Sequence, residues 1–374
     1  MQKTLTFIDW FAGIGGFRIG LEDAGCKCVG FCEKDDNALA SYMTMHIYNQ
    51  HQIDYLCQTN RYKKRKEMVL QQIHTTTEWF AKDVCDVNAN AIPPVDIWTF
   101  GAPCQDFSLS NAKRQGLNGD KSRLVKEIFR LLQEIPWSNK PEWLIYENVE
   151  GMLSSNKGFD LLAILNKMVE LGYDCEWQLL NTKHFRIPQN RRRVFLIGHL
   201  RKCGRRNILP ITSIFEQSNN HIETNKRIKV RAVTETGYNF ACVGDTINFI
   251  QPKSKTRRGR IGFQIANTLD THMEQYVITN ISNIPKTKFD LPYLIDNVLY
   301  YITIRRLTPK ECFRLQGFAD IYYERAKLVN GNVALYKQIG NSVTTNIVRE
   351  IGLRIINTYK EQDDIKIKDD YIKT

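Results

Sequence analysis

Residues 4–17 read TLTFIDWFAGIGGF, and this stretch decides the fold. An apolar, strand-like run at 4–8 leads into a loop holding Gly13, Gly15 and Gly16. Glycines there let a backbone turn tightly beneath a nucleotide-like ligand. A glycine loop alone is equally well a plain tight turn. The spacing to the next strand strengthens the first reading. Residues 28–32, CVGFC, form a second apolar run, and Glu33 closes it 20 residues after Gly13. A doubly wound fold places an acid there for ribose hydroxyls.

Working outward, three more apolar runs read as strands: 95–100 (VDIWTF), 143–146 (WLIY) and 193–198 (RVFLIG). Helical periodicity lies between several of them. SRLVKEIFRLLQEI (122–135) has apolar residues at 124, 125, 128, 131, 132 and 135, with Ser122 placed as an N-cap. FDLLAILNKMVELG (159–172) repeats the pattern and stops at Gly172. Strands alternating with helices predict an α/β fold with a mostly parallel, Rossmann-like sheet. The alternation stops after residue 200. Residues 201–300 are polar, basic and rich in short β-like pieces, which predicts a smaller, irregular β-rich domain. Order returns at RRLTPKECFRLQGFAD (305–320). There Thr308 and Glu311 have capping-box spacing, Pro309 takes the first helical position and Gly317 closes the helix. The expected organisation is a catalytic and cofactor-binding domain at 1–200, a recognition domain at 201–325 and a C-terminal segment at 326–374 returning to the first. A basic insertion at about 46–80 (RYKKRKEMVLQQ at its centre) either adds contacts to a polyanion or is a solvated decoration.

The chain has 374 residues, 43% hydrophobic and 25% charged, with a net charge of +12. Residues 201–260 hold 13 Lys or Arg against 4 Asp or Glu, so most of the surplus lies in one sixth of the chain. A stripe of that kind points to a polyanionic partner, nucleic acid first, unless it is only a solvated basic face. Ten cysteines occur without framework spacing and without a Cys-x-x-Cys pair. They read as reduced thiols, which with the absence of a secretory leader or an apolar span predicts a cytoplasmic protein without a structural metal.

Several residues could carry chemistry. Cys104, in GAPCQDFSLSN (101–111), follows the strand at 95–100. Glu147, in YENVEGM, follows the strand at 143–146. With the glycine loop, three groups converge on the carboxyl ends of strands, where open parallel sheets bind ligands. Taken singly, Cys104 is also a small buried hydrophobe and Glu147 a helix-cap or salt-bridge carboxylate. Asp83, in KDVCDV, is either a further ligand contact or a turn aspartate. IPQNRRRVFLIG puts Gln189, Arg191 and Arg193 on one face by period two, where the arginines could reach a phosphate, a carboxylate or a base carbonyl.

In this order the motifs resemble the C5-cytosine DNA methyltransferases over nearly the whole chain. DWFAGIGGF (9–17) resembles the family's cofactor loop, GAPCQDFS its nucleophile motif and ENVEGM its Glu-Asn-Val motif. QNRRRVFLIG resembles its Gln-x-Arg-x-Arg strand, and RRLTPKECFRLQGF and QIGNSV (338–343) its last two motifs. The resemblance implies Cys104 as nucleophile, with Glu147, Arg191 and Arg193 around the target base and Asn148 and Gln189 supporting them. Glu147 would hold the ring near N3, Arg193 the base carbonyl, and Arg191 would orient Glu147 or a phosphate. It implies S-adenosylmethionine as cofactor, leaving as S-adenosylhomocysteine. Phe11, Gly13, Gly15, Gly16, Glu33, Asp83, Pro103, Asn341 and Ser342 would line its pocket.

The implied substrate is double-stranded DNA, whose target cytosine is flipped out and covered by a loop at 105–121. Within the recognition region SKTRRGRIG (254–262) is the densest basic run. Lys255, Arg257, Arg258 and Arg260 there, with Ser108 in the loop, are the candidate DNA contacts. A monomer is expected, with a cognate restriction endonuclease as a candidate partner. Two alternatives stay open: an RNA (tRNA) cytosine-5 methyltransferase of the same fold, and a catalytically silent DNA-binding module. The roughly 100 residues of recognition region favour duplex DNA over the first. The presence of Cys104, Glu147 and both arginines opposes the second.

Overall fold

The computed structural model describes residues 3–102, 123–204, 206–212, 226–250, 253–255, 259–271 and 274–372. Eight strands form in the first part of the chain: β1 (Thr6–Trp10), β2 (Lys27–Cys32), β3 (Trp79–Ala81), β4 (Ile97–Phe100), β5 (Trp143–Val149), β6 (Tyr173–Asn181), β7 (Gln189–Asn190) and β8 (Arg192–Leu200). Seven of them make one sheet in the order β3-β2-β1-β4-β5-β8-β6. The first five run parallel, and β8 enters antiparallel between β5 and β6. Strand order reverses between β1 and β4. That is the switch point outside which open α/β sheets bind their ligands.

The short strands are apolar on both sides because helices cover both faces. On one face α1 (Gly16–Ala24) and α10 (Thr345–Ile372) cover Phe7, Ile97, Ile145 and Phe195 with Phe17, Leu21, Ile347, Val348 and Ile351. On the other, α5 (Arg123–Glu134) and α6 (Phe159–Glu170) cover Trp98, Leu144 and Leu196 with Val125, Ile128, Leu132, Ile164 and Met168. The two amphipathic runs legible in the sequence are therefore these helices. Gly172 has φ +98° after α6, and its N–H bonds the Val169 carbonyl. The Ser122 cap and the loop at 105–121 lie outside the described residues.

Helix α2 (Asp36–Tyr42) and a π-helical turn at Met43–Ile47 lead into the insertion, which folds as α3 (Gln50–Cys57) and α4 (Tyr62–Gln71). Asp35 caps α2 through the amides of Asn37 and Ala38. Asn49 and Gln52 form a capping box on α3. Helix α4 is tied down by Lys66 on the Asn37 side chain and by buried Val69, while Arg61, Lys63 and Lys64 stay exposed.

From residue 226 to 306 the chain is β-rich, as its short β-like pieces predict, and all its strands but one pair antiparallel. β9 (Ile228–Arg231) pairs with β10 (Tyr238–Ala241). β11 (Thr246–Asn248), β12 (Arg260–Gly262), β14 (Gln275–Ser282), β15 (Leu291–Ile295) and β16 (Val298–Arg306) form a sheet in the order β12-β11-β14-β16-β15. Its core is small: Ile228, Val230, Ala241, Ile247, Ile278, Ile281 and Ile302. β13 (Ala266–Asn267) reaches across to pair with β7.

The chain then makes α7 (Pro309–Arg314), α8 (Asp320–Lys327) and α9 (Asn332–Asn341). The Thr308–Glu311 box is present in both directions, and Gly317 has φ +85°. From Leu307 on, Cys312, Phe313, Phe318, Leu335 and Ile339 pack with Ile14 and Ile19 beside the glycine loop. The division expected at residue 325 thus runs through one packed cluster.

Candidate functional site

The loop after β1 is pinned from several sides. The Ala12 N–H bonds the Cys32 carbonyl, the Gly15 N–H bonds the Ala12 carbonyl, and the Gly13 N–H bonds a Glu33 carboxylate oxygen at 2.7 Å. Gly13 and Gly15 have φ +56° and +80°, a region that penalises any Cβ. Among the described residues, a Cβ at Gly13 would meet only the Phe11 carbonyl, at 3.9 Å. Phe11, itself at φ +55°, stands half-buried beside it.

The second Glu33 oxygen accepts from the Asp35 N–H at 2.6 Å. Burial raises the pKa of Glu33, and these two amides oppose the shift. A carboxylate held this way at the end of β2, beside an open glycine turn, fits the hydroxyls of a nucleoside. Asp83 lies next to it. It caps a short turn through the Cys85 N–H and pairs with Lys34, which lowers its pKa.

The last motif closes against the same loop. A Cβ at Gly16 would stand 2.6 Å from Ser342 Oγ and 2.8 Å from Val343 Cγ1, so the loop and residues 342–343 touch only because residue 16 is glycine. Ser342 is buried and Asn341 is exposed at the end of α9. Gln316, which the sequence reading did not single out, holds this junction together. Its amide donates to the carbonyls of Ile339 and Ser342, and its side-chain oxygen accepts from the Thr344 hydroxyl at 2.8 Å. Only its place inside the RLQGF motif could have marked it.

At the end of β5, Glu147 and Arg193 pair at 3.0 Å, both largely shielded. A Cβ built on Gly101 would lie 3.4 Å from the Glu147 carboxylate. The Glu147 carboxyl therefore sits over the end of β4, three residues before Cys104. Cys104, Pro103 and Ser108 lie outside the described residues. Asn148 is buried, bonded to the Tyr146 hydroxyl and the Val149 N–H, so it stiffens the strand end that carries Glu147.

One expectation needs correction. Gln189, Arg191 and Arg193 do not share a functional face, because the strand breaks at residue 191, between β7 and β8. Arg191 turns inward. Its guanidinium is buried and donates to the carbonyls of Leu269 (2.8 Å), Gly340 (3.1 Å) and Ser342 (2.8 Å). Buried carbonyls need donors, and the planar arginine fork can serve three at once. Gln189 is equally internal, donating to the Leu315 carbonyl and accepting from the Leu269 N–H. These two side chains clasp the loop after β13 to the last two motifs, and of the three residues only Arg193 lies at the cleft.

In the recognition region, Lys255 and Arg260 are exposed, and Arg260 opens the edge strand β12. Arg257 and Arg258 lie outside the described residues. Among the described residues no group of three or more His, Cys, Asp or Glu could hold a metal ion, and no helix is long and apolar enough to cross a membrane.

A Rossmann-like sheet with a glycine loop at its switch point, a carboxylate–arginine pair at a neighbouring strand end and an appended β-rich unit is the architecture of an α/β enzyme with a ligand cleft at its strand ends. The family described as "C-5 cytosine-specific DNA methylase" matches residues 5–68 and 49–357, and the chain belongs to it. It is a DNA (cytosine-5-)-methyltransferase.

Among its relatives, Type II methyltransferase M.DsaV of Dactylococcopsis salina is 26% identical over 95% of this chain and 87% of its own. M.HhaI of Haemophilus parahaemolyticus is 28% identical over 94% of each. Solved structures with the same fold include the Entamoeba histolytica methyltransferase EhMeth (TM-score 0.56, 17% identity, 96% of this chain and 99% of that one). Dnmt2 of S. pombe is similar too (TM-score 0.54, 16% identity, 96% of this chain and 99% of that one).

Proposed function

We propose that this chain methylates C5 of a cytosine within a short sequence of double-stranded DNA, with Cys104 as nucleophile and S-adenosylmethionine as methyl donor. The observation that carries the reading is the position of Glu147. Held by Arg193, its carboxyl overlies the end of β4 on the approach to Cys104, next to the glycine loop.

C5 of an intact cytosine ring is a weak nucleophile. Addition of the Cys104 thiolate to C6 forms a C–S bond and moves the ring electrons toward C5 and N3. The Glu147 carboxyl gives a proton to N3, neutralising the charge that addition creates there, and takes it back as the thiolate leaves, while Arg193 holds Glu147 and reaches the base carbonyl. When bound, S-adenosylmethionine supplies a methyl group on a sulfonium. Gly13 and Glu33 would hold its nucleoside end, with Phe11, Asp83 and the Gly16–Ser342 junction completing the pocket. Asn341 and Pro103 lie at its margins in this reading. After methylation a base takes the C5 proton, the C–S bond breaks and the thiolate leaves. A cytosine inside a duplex cannot reach Cys104, so the base must swing out of the stack at a cost of a few kcal/mol.

The basic recognition region, with Lys255, Arg257, Arg258 and Arg260, would grip the flanking duplex, joined by Ser108 from the active-site loop. A restriction endonuclease acting at the same site is a proposed partner, since curated relatives are Type II methyltransferases.

The test is methyl transfer from S-adenosylmethionine to a randomised duplex library, read by cytosine-methylation sequencing, with C104S alongside. Methylcytosine at one short motif, abolished in C104S, is expected. Transfer to structured RNA and none to DNA would replace this reading with the RNA one.

A further inference from the structure

His46 belongs to none of the motifs above. It lies in the π-helical turn Met43–Ile47 that follows α2. A π-turn widens the helix by one residue and often marks a functional position. Here it brings the imidazole beneath the glycine loop. Nε2 lies 3.0 Å from the Ile14 carbonyl oxygen. A Cβ at Gly15 would stand 2.3 Å from the same nitrogen, so the imidazole, as well as the +80° φ, demands glycine there. The ring is flanked by Tyr42, at 4.7 Å between centroids, and by Tyr322 of α8, at 5.4 Å. Burial, helped by the guanidinium groups of Arg18 and Arg325, keeps the imidazole neutral. A neutral imidazole that meets a carbonyl through Nε2 must donate from it.

Ala12 and Gly13 are held from β2 and its end, and the Gly15 carbonyl accepts from Ile19 of α1; among the described residues His46 is the side chain that holds the Ile14 carbonyl. The Ile14 carbonyl shares its peptide plane with the Gly15 N–H, so fixing one fixes the other. We propose that His46 is a positioning residue: by holding the Ile14–Gly15 peptide it sets the glycine loop in the shape that receives S-adenosylmethionine. This rests on the reading of the glycine loop as the cofactor site. The residue touches no substrate atom and acts through the loop. Its neighbour Tyr322 lies on α8, so the loop's shape is coupled to the segment that follows the second sheet.

The test compares H46F, which keeps a ring but removes the donor, with H46Q, whose amide nitrogen has a similar reach. Three readouts separate loop positioning from packing. They are the Kd for S-adenosylhomocysteine by calorimetry without DNA, KM and kcat for S-adenosylmethionine on duplex DNA, and the midpoint of thermal unfolding. For H46F, Kd and KM rise about tenfold, the loss expected for one well-placed hydrogen bond, while kcat stays within about twofold. H46Q returns Kd to within about threefold of wild type.

If H46F fails to fold, H46L removes the same donor with less bulk. Two results overturn the proposal: H46F binding as wild type does, or H46Q losing as much affinity as H46F in step with its unfolding midpoint. A wild-type protein that binds no S-adenosylhomocysteine at all overturns the cofactor reading itself, and the positioning role with it.

Discussion

Arg191 and Arg193 are two residues apart and do different work, and the difference is measurable. Arg193 pairs with Glu147 at the cleft. R193A is expected to lower kcat/KM by about a hundredfold, because in the proposed mechanism it removes a contact to the reacting base and the partner that holds Glu147. Arg191 serves three buried carbonyls. R191A removes a donor from each, with Gln316 still serving the Ser342 carbonyl, and should cost about 3 kcal/mol in denaturant titration, whatever its effect on rate. His46 supplies a pH signature. Its pKa falls from 6.5 to about 3 in the folded chain, so between those values the unfolded state binds the proton and the folded state does not. Stability from this residue is full above about pH 6.5 and is lost as pH falls toward 3. H46Q, which cannot titrate, should show a shallower drop in melting temperature between pH 7 and 5 than wild type.

The elements carry their own local logic. Helix α7 begins with a reciprocal box: Thr308 accepts from the Glu311 N–H, and the Glu311 carboxylate accepts from the Thr308 N–H at 2.8 Å. T308A is expected to cost about 1 kcal/mol, read from chemical unfolding. Arg305 also holds Glu311, which lowers its pKa from 4.5 to about 2. That contribution is present above about pH 4.5 and fades as pH falls toward 2. E311Q should therefore flatten the acid limb of the stability profile below pH 5. Strand β8 shows where local reasoning fails. Period two holds only within one uninterrupted strand, and the break at residue 191 sends Gln189 and Arg191 inward and leaves Arg193 at the cleft.

At the scale of the whole molecule, charge and architecture are divided. Most of the +12 surplus lies in residues 201–260, while the proposed catalytic residues end strands of the first sheet. DNA affinity should fall linearly in log–log against salt concentration. R260A should reduce the slope by about 1 if Arg260 holds a phosphate, measured by fluorescence anisotropy at several salt concentrations. An unchanged slope would mean that Arg260 faces solvent. The insertion α3–α4 adds a second cationic surface at Arg61, Lys63 and Lys64. Among the described residues none of these three has an acidic partner.

The parallel sheet, the two covering helices, the capping box and the places of Glu33 and Glu147 were legible in the sequence. Each follows from short-range rules: alternation of apolar runs, helical period, cap residues, and the strand ends that these imply. The pairing of Glu147 with Arg193 rather than Arg191, the Gly16–Ser342 contact, the junction at Gln316 and the bond from His46 to the glycine loop were not. They join residues from 23 to 326 positions apart in the chain, or turn on a single strand break, and no local period encodes which buried carbonyl will find which donor. Sequence determined what the elements are and which of them end at the cleft. Only the tertiary structure decided which side chains face it, because that depends on how buried polar groups are satisfied once the layers have packed.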